Sequence, residues 1–318
     1  MNEISKHHEA AFSLHFKNFK RFRRNLSYSL LALPMIIYVF IFNYLPMGGI
    51  VVAFKSYQYD LGILKSPWVG LDNFRFFFTS PDAWRITLNT LGYNAIFIVV
   101  GLIIPVGLAL LLNEIKSKTM LKYYQTTMFF PHFLSWVVVA FMAYSFLNPL
   151  YGLLNRWLTD MGGQSVDWYV KAKPWIFILP VAHIWKTVGM STLIYYSSLM
   201  GIDQEYYEAA ALEGASKPYM AFKITLPFLY PLMTMLTILN IGHIFYADFG
   251  LFYQLTMNSP MLYSTTDVID TYVFRALRES GNMGMAGAVD FYKSFIGLLL
   301  VLLTNYIVKR KNEDHALF

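Results

Sequence analysis

The sequence predicts an all-α membrane protein with about six transmembrane helices, and three observations carry that expectation. First, 56% of the 318 residues are hydrophobic and only 14% are charged, with a mean hydropathy of +0.43; soluble domains are about 45–50% apolar and about 25% charged. Second, several apolar runs reach the roughly 20 residues needed to cross a bilayer. Third, cations cluster where those runs begin and end. Lys17, Lys20, Arg21, Arg23 and Arg24 precede the first run, and Lys309, Arg310 and Lys311 follow the last. A net charge of +6 distributed this way reads as a topology signal rather than a nucleic-acid patch. Cysteine is absent, which excludes disulfides, thiolate metal sites and a cysteine nucleophile.

The spans follow in order. Leu26 to Phe54 carries no charge and forms the first; it exceeds a signal-peptide core and no small-residue cleavage site follows, so it is expected to remain in the mature chain. Ile86 to Asn113 is the second, with a predicted kink at Pro105. Tyr123 to Leu147 is the third, containing Pro131 and His132. Pro174 to Met200 is the fourth, Phe228 to about Ala247 the fifth, and Ala286 to Val308 the sixth. Lys and Arg are densest in the N-terminal cluster, at Lys116, Lys118 and Lys122, at Lys217 and Lys223, and in the C-terminal cluster. That bias places both termini in the cytoplasm. The expected organisation is a basic cytoplasmic segment at 1–25, a transmembrane domain at 26–308 with a cytoplasmic loop at 203–227, and a cytoplasmic tail at 309–318. Outside, Gly70 to Phe78 reads as a short amphipathic helix capped by Asp72, and Thr266 to Asp270 as a helix start.

The cytoplasmic loop between the fourth and fifth spans is distinctive. Asp203 to Leu212 is a strong helix former with its acids early, where the helix dipole favours them. Gly214 stands where a left-handed residue ends a helix. Ser216 offers an N-cap, Pro218 falls in a first helical turn, and Pro227 marks the start of the fifth span. The prediction is a short helix, a tight turn and another short helix. Ala209, Ala210, Ala211, Gly214 and Ala215 allow close backbone approach by a partner, and Glu205, Glu208 and Glu213 add charge. A plain polar connector is the competing reading.

Glu208-Ala209-Ala210, three residues, Gly214, nine residues, Ile224, one residue, Leu226-Pro227 resembles the EAA signature of binding-protein-dependent ABC permeases at every fixed position. Seven specified residues at fixed spacing arise by chance in only about a few per million chains of this length. The resemblance implies a type I ABC importer permease fold, and it implies that Glu208, Ala209, Ala210 and Gly214 couple the chain to an ATPase. Trp68 to Phe74 followed by Leu88-Asn89-Thr90-Leu91 resembles the first outside loop and second span of carbohydrate permeases. Asp248-Phe249-Gly250, Leu255-Thr256 and Thr266 to Arg275 resemble the oligosaccharide branch, which includes the lipoprotein-named permeases and the alginate and rhamnogalacturonan importers. Asp290 departs from that branch, where a small or apolar residue is expected.

The chain contains no GxxxxGK[ST] loop, so ATP and Mg are expected in a partner rather than here. The resemblance implies a second permease subunit, itself a relative, with two ATPase subunits and an external solute-binding protein. The resemblance further implies that the set works by alternating access in a bacterial cytoplasmic membrane. The chain itself is expected to be no enzyme and to hold no cofactor or metal. Polar residues within the spans are expensive and usually face a cavity or one another; here they are His132, His183, Lys186, Asn240, His243, Asp248, Asp290 and Lys293. Asp290 and Lys293, three apart, are expected to form an intrahelical ion pair. Trp185, Tyr195, Asn240, Tyr246, Asp290 and Lys293 are the candidates for the oligosaccharide pathway, against a packing role for the aromatics. A permease for another solute, or a membrane-embedded enzyme or receptor, are the alternatives.

Overall fold

The structure is a computed structural model that describes residues 26–311 and 316–317. The N-terminal basic segment and most of the tail beyond Lys311 lie outside the described residues. Helices dominate, and among the described residues the only β pairing is one isolated bridge, between Lys55 and Trp68. Among the described residues five helices are long and apolar enough to cross a membrane, or six when one bent pair is counted as a span.

Helix α1 (Leu26–Val39) runs through a π turn (Phe40–Tyr44) and ends in a 3-10 segment (Gly48–Phe54). None of its most apolar stretch is buried by the rest of the chain, as suits a helix whose solvent is lipid or another subunit. The amphipathic α2 (Asp72–Thr79) follows. Asp72 is its first residue and makes no capping bond; Leu71 holds the cap position. Instead Asn73 fastens the helix, donating from Nδ2 to the carbonyls of Ala53 (2.9 Å) and Lys55 (3.0 Å). Helix α3 (Asp82–Asn113) keeps Pro105 inside it and packs along α6 (Trp175–Leu199).

The third span departs from the expected single rod. Helix α4 (Lys118–Phe129) tightens into a 3-10 turn (Phe130–Phe133), and α5 (Trp136–Leu147) leaves it at 98°. Pro131 cannot donate to a continuing helix, and Ser135 starts the new one by accepting from Val138 N at 3.3 Å. The fifth span also differs. The short helix after Gly214, α8 (Lys217–Met220), does not stop at Pro227 but runs through a π turn (Ala221–Thr225) into α9 (Leu226–Gly242). A wider π turn relieves the clash of a proline ring with the carbonyl four residues back, so Pro227 is accommodated without a break. The rod then ends five residues earlier than expected, at Gly242.

The last helix, α11 (Met283–Lys311), crosses α9 closely. A Cβ at Gly297 would lie 2.4 Å from the Gly242 carbonyl oxygen, so this crossing requires glycine. Between them, α10 (Ile269–Ser280) is held by a buried ionic knot. The fully buried Asp267 carboxylate accepts from Arg275 Nη2 at 2.7 and 2.8 Å and from Thr271 Oγ1 at 2.9 Å, with Arg85 at 3.4 Å from α3. The stretch Thr266 to Arg275 thus fastens the 251–284 segment onto the end of α3 furthest from the EAA-like loop.

Candidate functional site

Two regions carry chemistry, one at each end of α9. At one end stands the elbow. Helix α7 (Glu205–Leu212) ends with Gly214 at φ +80°, Ala215 N donating to Ala210 O and Gly214 N to Ala211 O, both at 3.0 Å. These are the two bonds of a Schellman end, which satisfies carbonyls left over by the helix. Ser216 holds the cap position of α8 without a side-chain bond, and Pro218 sits in its first turn. Tyr207 and Thr225 join the two arms by a hydroxyl–hydroxyl bond of 3.0 Å, and Lys217 is ion-paired with Glu114 at the end of α3. The elbow therefore has a defined shape, yet Glu208, Ala209 and Gly214 are exposed and Ala210 is half-buried. Among the described residues nothing lies within 4 Å of a Cβ built on Gly214. Leu212 at the apex is 91% exposed, and Phe222 is 63% exposed.

At the other end of α9 lies a polar seam made by two interruptions in apolar spans. Broken backbone within a bilayer is tolerated only where the freed groups find partners or line a cavity. At the break between α4 and α5, Lys186 of α6 donates to the His132 carbonyl at 3.0 Å and stands over the Trp136 ring at 5.3 Å. At the break after α9, Asn94 Nδ2 donates to the carbonyls of Ile244 (2.9 Å) and Tyr246 (3.0 Å), and Ala247 N donates to Asp270 Oδ2 at 2.8 Å. The two breaks meet: Trp136 Nε1 donates to Asp248 Oδ2 at 2.7 Å, and Gly250 passes so close to the Trp136 ring that a Cβ would lie 2.2 Å from it. Polar sites of membrane transporters are commonly assembled at such interrupted helices.

Helix α11 completes the seam. Lys293 is 2% exposed, with Nζ 2.7 Å from Asp270 Oδ1 and 3.0 Å from Asp290 Oδ1, and 4.6 Å from the Tyr246 ring centre. Tyr246 OH and Ser294 Oγ are 2.5 Å apart. Asp290 and Lys293 therefore do form the intrahelical pair, but Lys293 is shared with an acid on another helix. The structure brings together Tyr246, Asp290 and Lys293, with Asn240 exposed on the last turns of α9. It places two other candidates elsewhere. Tyr195 is packed among Val106, Ala109 and Leu229 where α3, α6 and α9 meet. Trp185 lines an apolar groove of ≈ 390 Å³ between α5 and α6, with Met142, Phe146, Phe177 and Val181. Residues the sequence reading did not single out include Leu212, Asn94, Trp136, Asp270 and Ser294. For Leu212 the available signal was an apolar residue closing an otherwise acidic, alanine-rich helix. Among the described residues no group of His, Asp or Glu is placed to hold a metal ion.

A helical bundle with broken spans, a polar seam and a rigid elbow defines a membrane transport permease. Residues 98–312 match the family described as binding-protein-dependent transport system inner membrane component, and the chain belongs to that family. It is 36% identical over 288 residues to the polygalacturonan/rhamnogalacturonan transport system permease protein YteP of Bacillus subtilis (strain 168), covering 90% of this chain and 88% of that one. It is 34% identical over 285 residues to protein LplB of the same organism, covering 90% and 89%. The structure of a bacterial alginate ABC transporter in complex with alginate pentasaccharide-bound periplasmic protein contains a chain that superposes with a TM-score of 0.82 at 32% identity, covering 92% of this chain and 97% of that one.

Proposed function

We propose that this chain is one of two permease subunits of a bacterial oligosaccharide importer. The elbow carries the proposal. It is a Schellman-ended helix whose Glu208, Ala209, Gly214 and bare Leu212 are left exposed among the described residues. An ATPase subunit is the occupant that fits, since the sequence holds no phosphate loop of its own, and ATP and Mg belong to that subunit. Glu208, Ala209, Ala210 and Gly214 are the coupling residues, with Leu212 as the apolar knob beside them. The sugar reading rests on the relatives, one named for polygalacturonan and rhamnogalacturonan transport and one solved with an alginate oligosaccharide on its periplasmic protein.

The rod from Lys217 to Gly242 has 26 residues, a length of ~39 Å. It joins the elbow directly to the seam, so a push on one end moves the other. ATP binding and hydrolysis shift the population between outward-open and inward-open states because the elbow contacts differ between them. The elbow and both termini lie in the cytoplasm, and the seam lies in the outer half of the membrane, where a solute-binding protein delivers the sugar. The second permease is a relative rather than a copy. The test is co-expression with the ATPase, second permease and binding protein, followed by purification and reconstitution. ATP-dependent uptake of an oligosaccharide supports the proposal. A chain that purifies without an ATPase, or a complex that carries amino acids and no saccharide, refutes it.

A further inference from the structure

We propose that Asp290 gives the pathway a negative charge that turns away acidic saccharides, so that the cargo is an uncharged oligosaccharide. This rests on the importer reading above and narrows its substrate class. The charged side chains along the seam are Asp248, Asp270, Asp290, Lys186 and Lys293. Three carboxylates against two ammonium groups leave one negative charge. Its location matters more than its sum. Lys293 is buried and committed to two carboxylates, and Lys186 is half-buried with its ammonium on the His132 carbonyl and over the Trp136 ring. Neither cation is presented for a ligand. The carboxylates are: Asp290 is 63% exposed and Asp248 is exposed.

An ionised side chain on an apolar span faces water or protein rather than lipid, because burial in hydrocarbon is costly. Apart from Lys293, which Asp290 shares with Asp270, the groups beside Asp290 are neutral hydrogen-bonding ones: Ser294 one turn on, whose hydroxyl donates to the Asp290 carbonyl, and Tyr246 bonded to Ser294 across the gap. Carboxylate and hydroxyl groups suit sugar hydroxyls, and the carboxylate accepts from them. A uronate brings a further like charge to a place where one buried ammonium already serves two carboxylates, and like charges juxtaposed without a free cation are a device for rejection.

Because the chain lacks cysteine, its local potential is readable with thiol reagents. In the full transporter, with other subunits made cysteine-free and turning over ATP, Ser294→Cys, one turn from Asp290 and exposed, is treated with the cationic MTSET and the anionic MTSES. At about 8 Å through water, one charge alters the ratio of cation to anion rates by about fivefold. The expected result is that Asp290→Asn lowers that ratio about fivefold at the Ser294 position. A ratio that D290N leaves unchanged overturns the proposal, as does a reporter that neither reagent reaches. The parent complex separates the two claims. Absence of ATP-dependent uptake there sinks the importer reading, whereas normal uptake with no charge bias sinks only the selection by Asp290.

Discussion

Gly214 offers a perturbation whose local and remote effects separate cleanly. Its φ of +80° lies in the left-handed region, where an ordinary L-residue costs about 1–2 kcal/mol and asparagine less. No described residue lies within 4 Å of an added Cβ. Alanine, asparagine and tryptophan therefore differ in this chain only by backbone strain, and tryptophan strains no more than alanine. Any excess effect of tryptophan must come from a partner that occupies the space. The account predicts that Gly214→Asn retains most uptake and that Gly214→Ala loses part of it, in keeping with a strain of about 1 kcal/mol. Gly214→Trp inserts normally but abolishes ATP-driven uptake. The assay is reconstituted uptake alongside binding-protein-stimulated ATPase, normalised to inserted chain. Equal activity of the tryptophan and alanine variants refutes the reasoning, because it leaves Gly214 with a purely local role.

Further outcomes follow from named contacts. Leu212→Asp places a charge where a bare apolar side chain docks and is expected to reduce recovery of the ATPase on purification at least tenfold, about 1.4 kcal/mol or more, without lowering the amount of inserted chain. Asn94→Leu strands the Ile244 and Tyr246 carbonyls; at about 1–3 kcal/mol for each unpaired buried group, the purified subunit should melt several degrees lower in detergent. Lys293→Met leaves two acids facing each other beside Tyr246 and is expected to destabilise by about 3–5 kcal/mol. Adding Asp270→Asn should recover part of that loss, and a thermal-melt cycle without such coupling contradicts the shared pair. Asp267→Ala strands Arg275 and is expected to destabilise by a similar amount, read as early proteolysis of the 251–284 segment.

The elbow was legible in the sequence because its determinants are local. Acids early in α7, glycine at the turn and proline in a first turn each act within a few residues, and the structure realises each position. One local inference failed for an equally physical reason. Pro227 reads as a boundary, but a π turn widens the helix ahead of it and α8 continues into α9. The breaks in the third and fifth spans were not legible. Pro131 and Ser135 lie between Phe129 and Trp136, but a proline inside an apolar span reads as a kink; the full break is completed by Lys186 on another helix, which satisfies the His132 carbonyl. Likewise Asn94 holds the turn after Gly242 from about 150 positions away in the chain. The Asp290–Lys293 pair was visible at helical spacing, whereas Asp270, on α10, reaches Lys293 only through the packing of α10 on α11.

The central claim is that the elbow is seated against an ATPase subunit, and cysteine cross-linking tests it most directly. A single cysteine at Ala210, in this otherwise cysteine-free chain, is paired with single cysteines scanned across the ATPase surface in the assembled, transport-competent complex. The account predicts a disulfide-linked species joining the two subunits at one patch of that surface, with a yield that changes between the nucleotide-free and ATP-bound states. A complex that transports while Ala210→Cys cross-links to no position on the ATPase, or reacts only with reagents applied from outside the membrane, contradicts it.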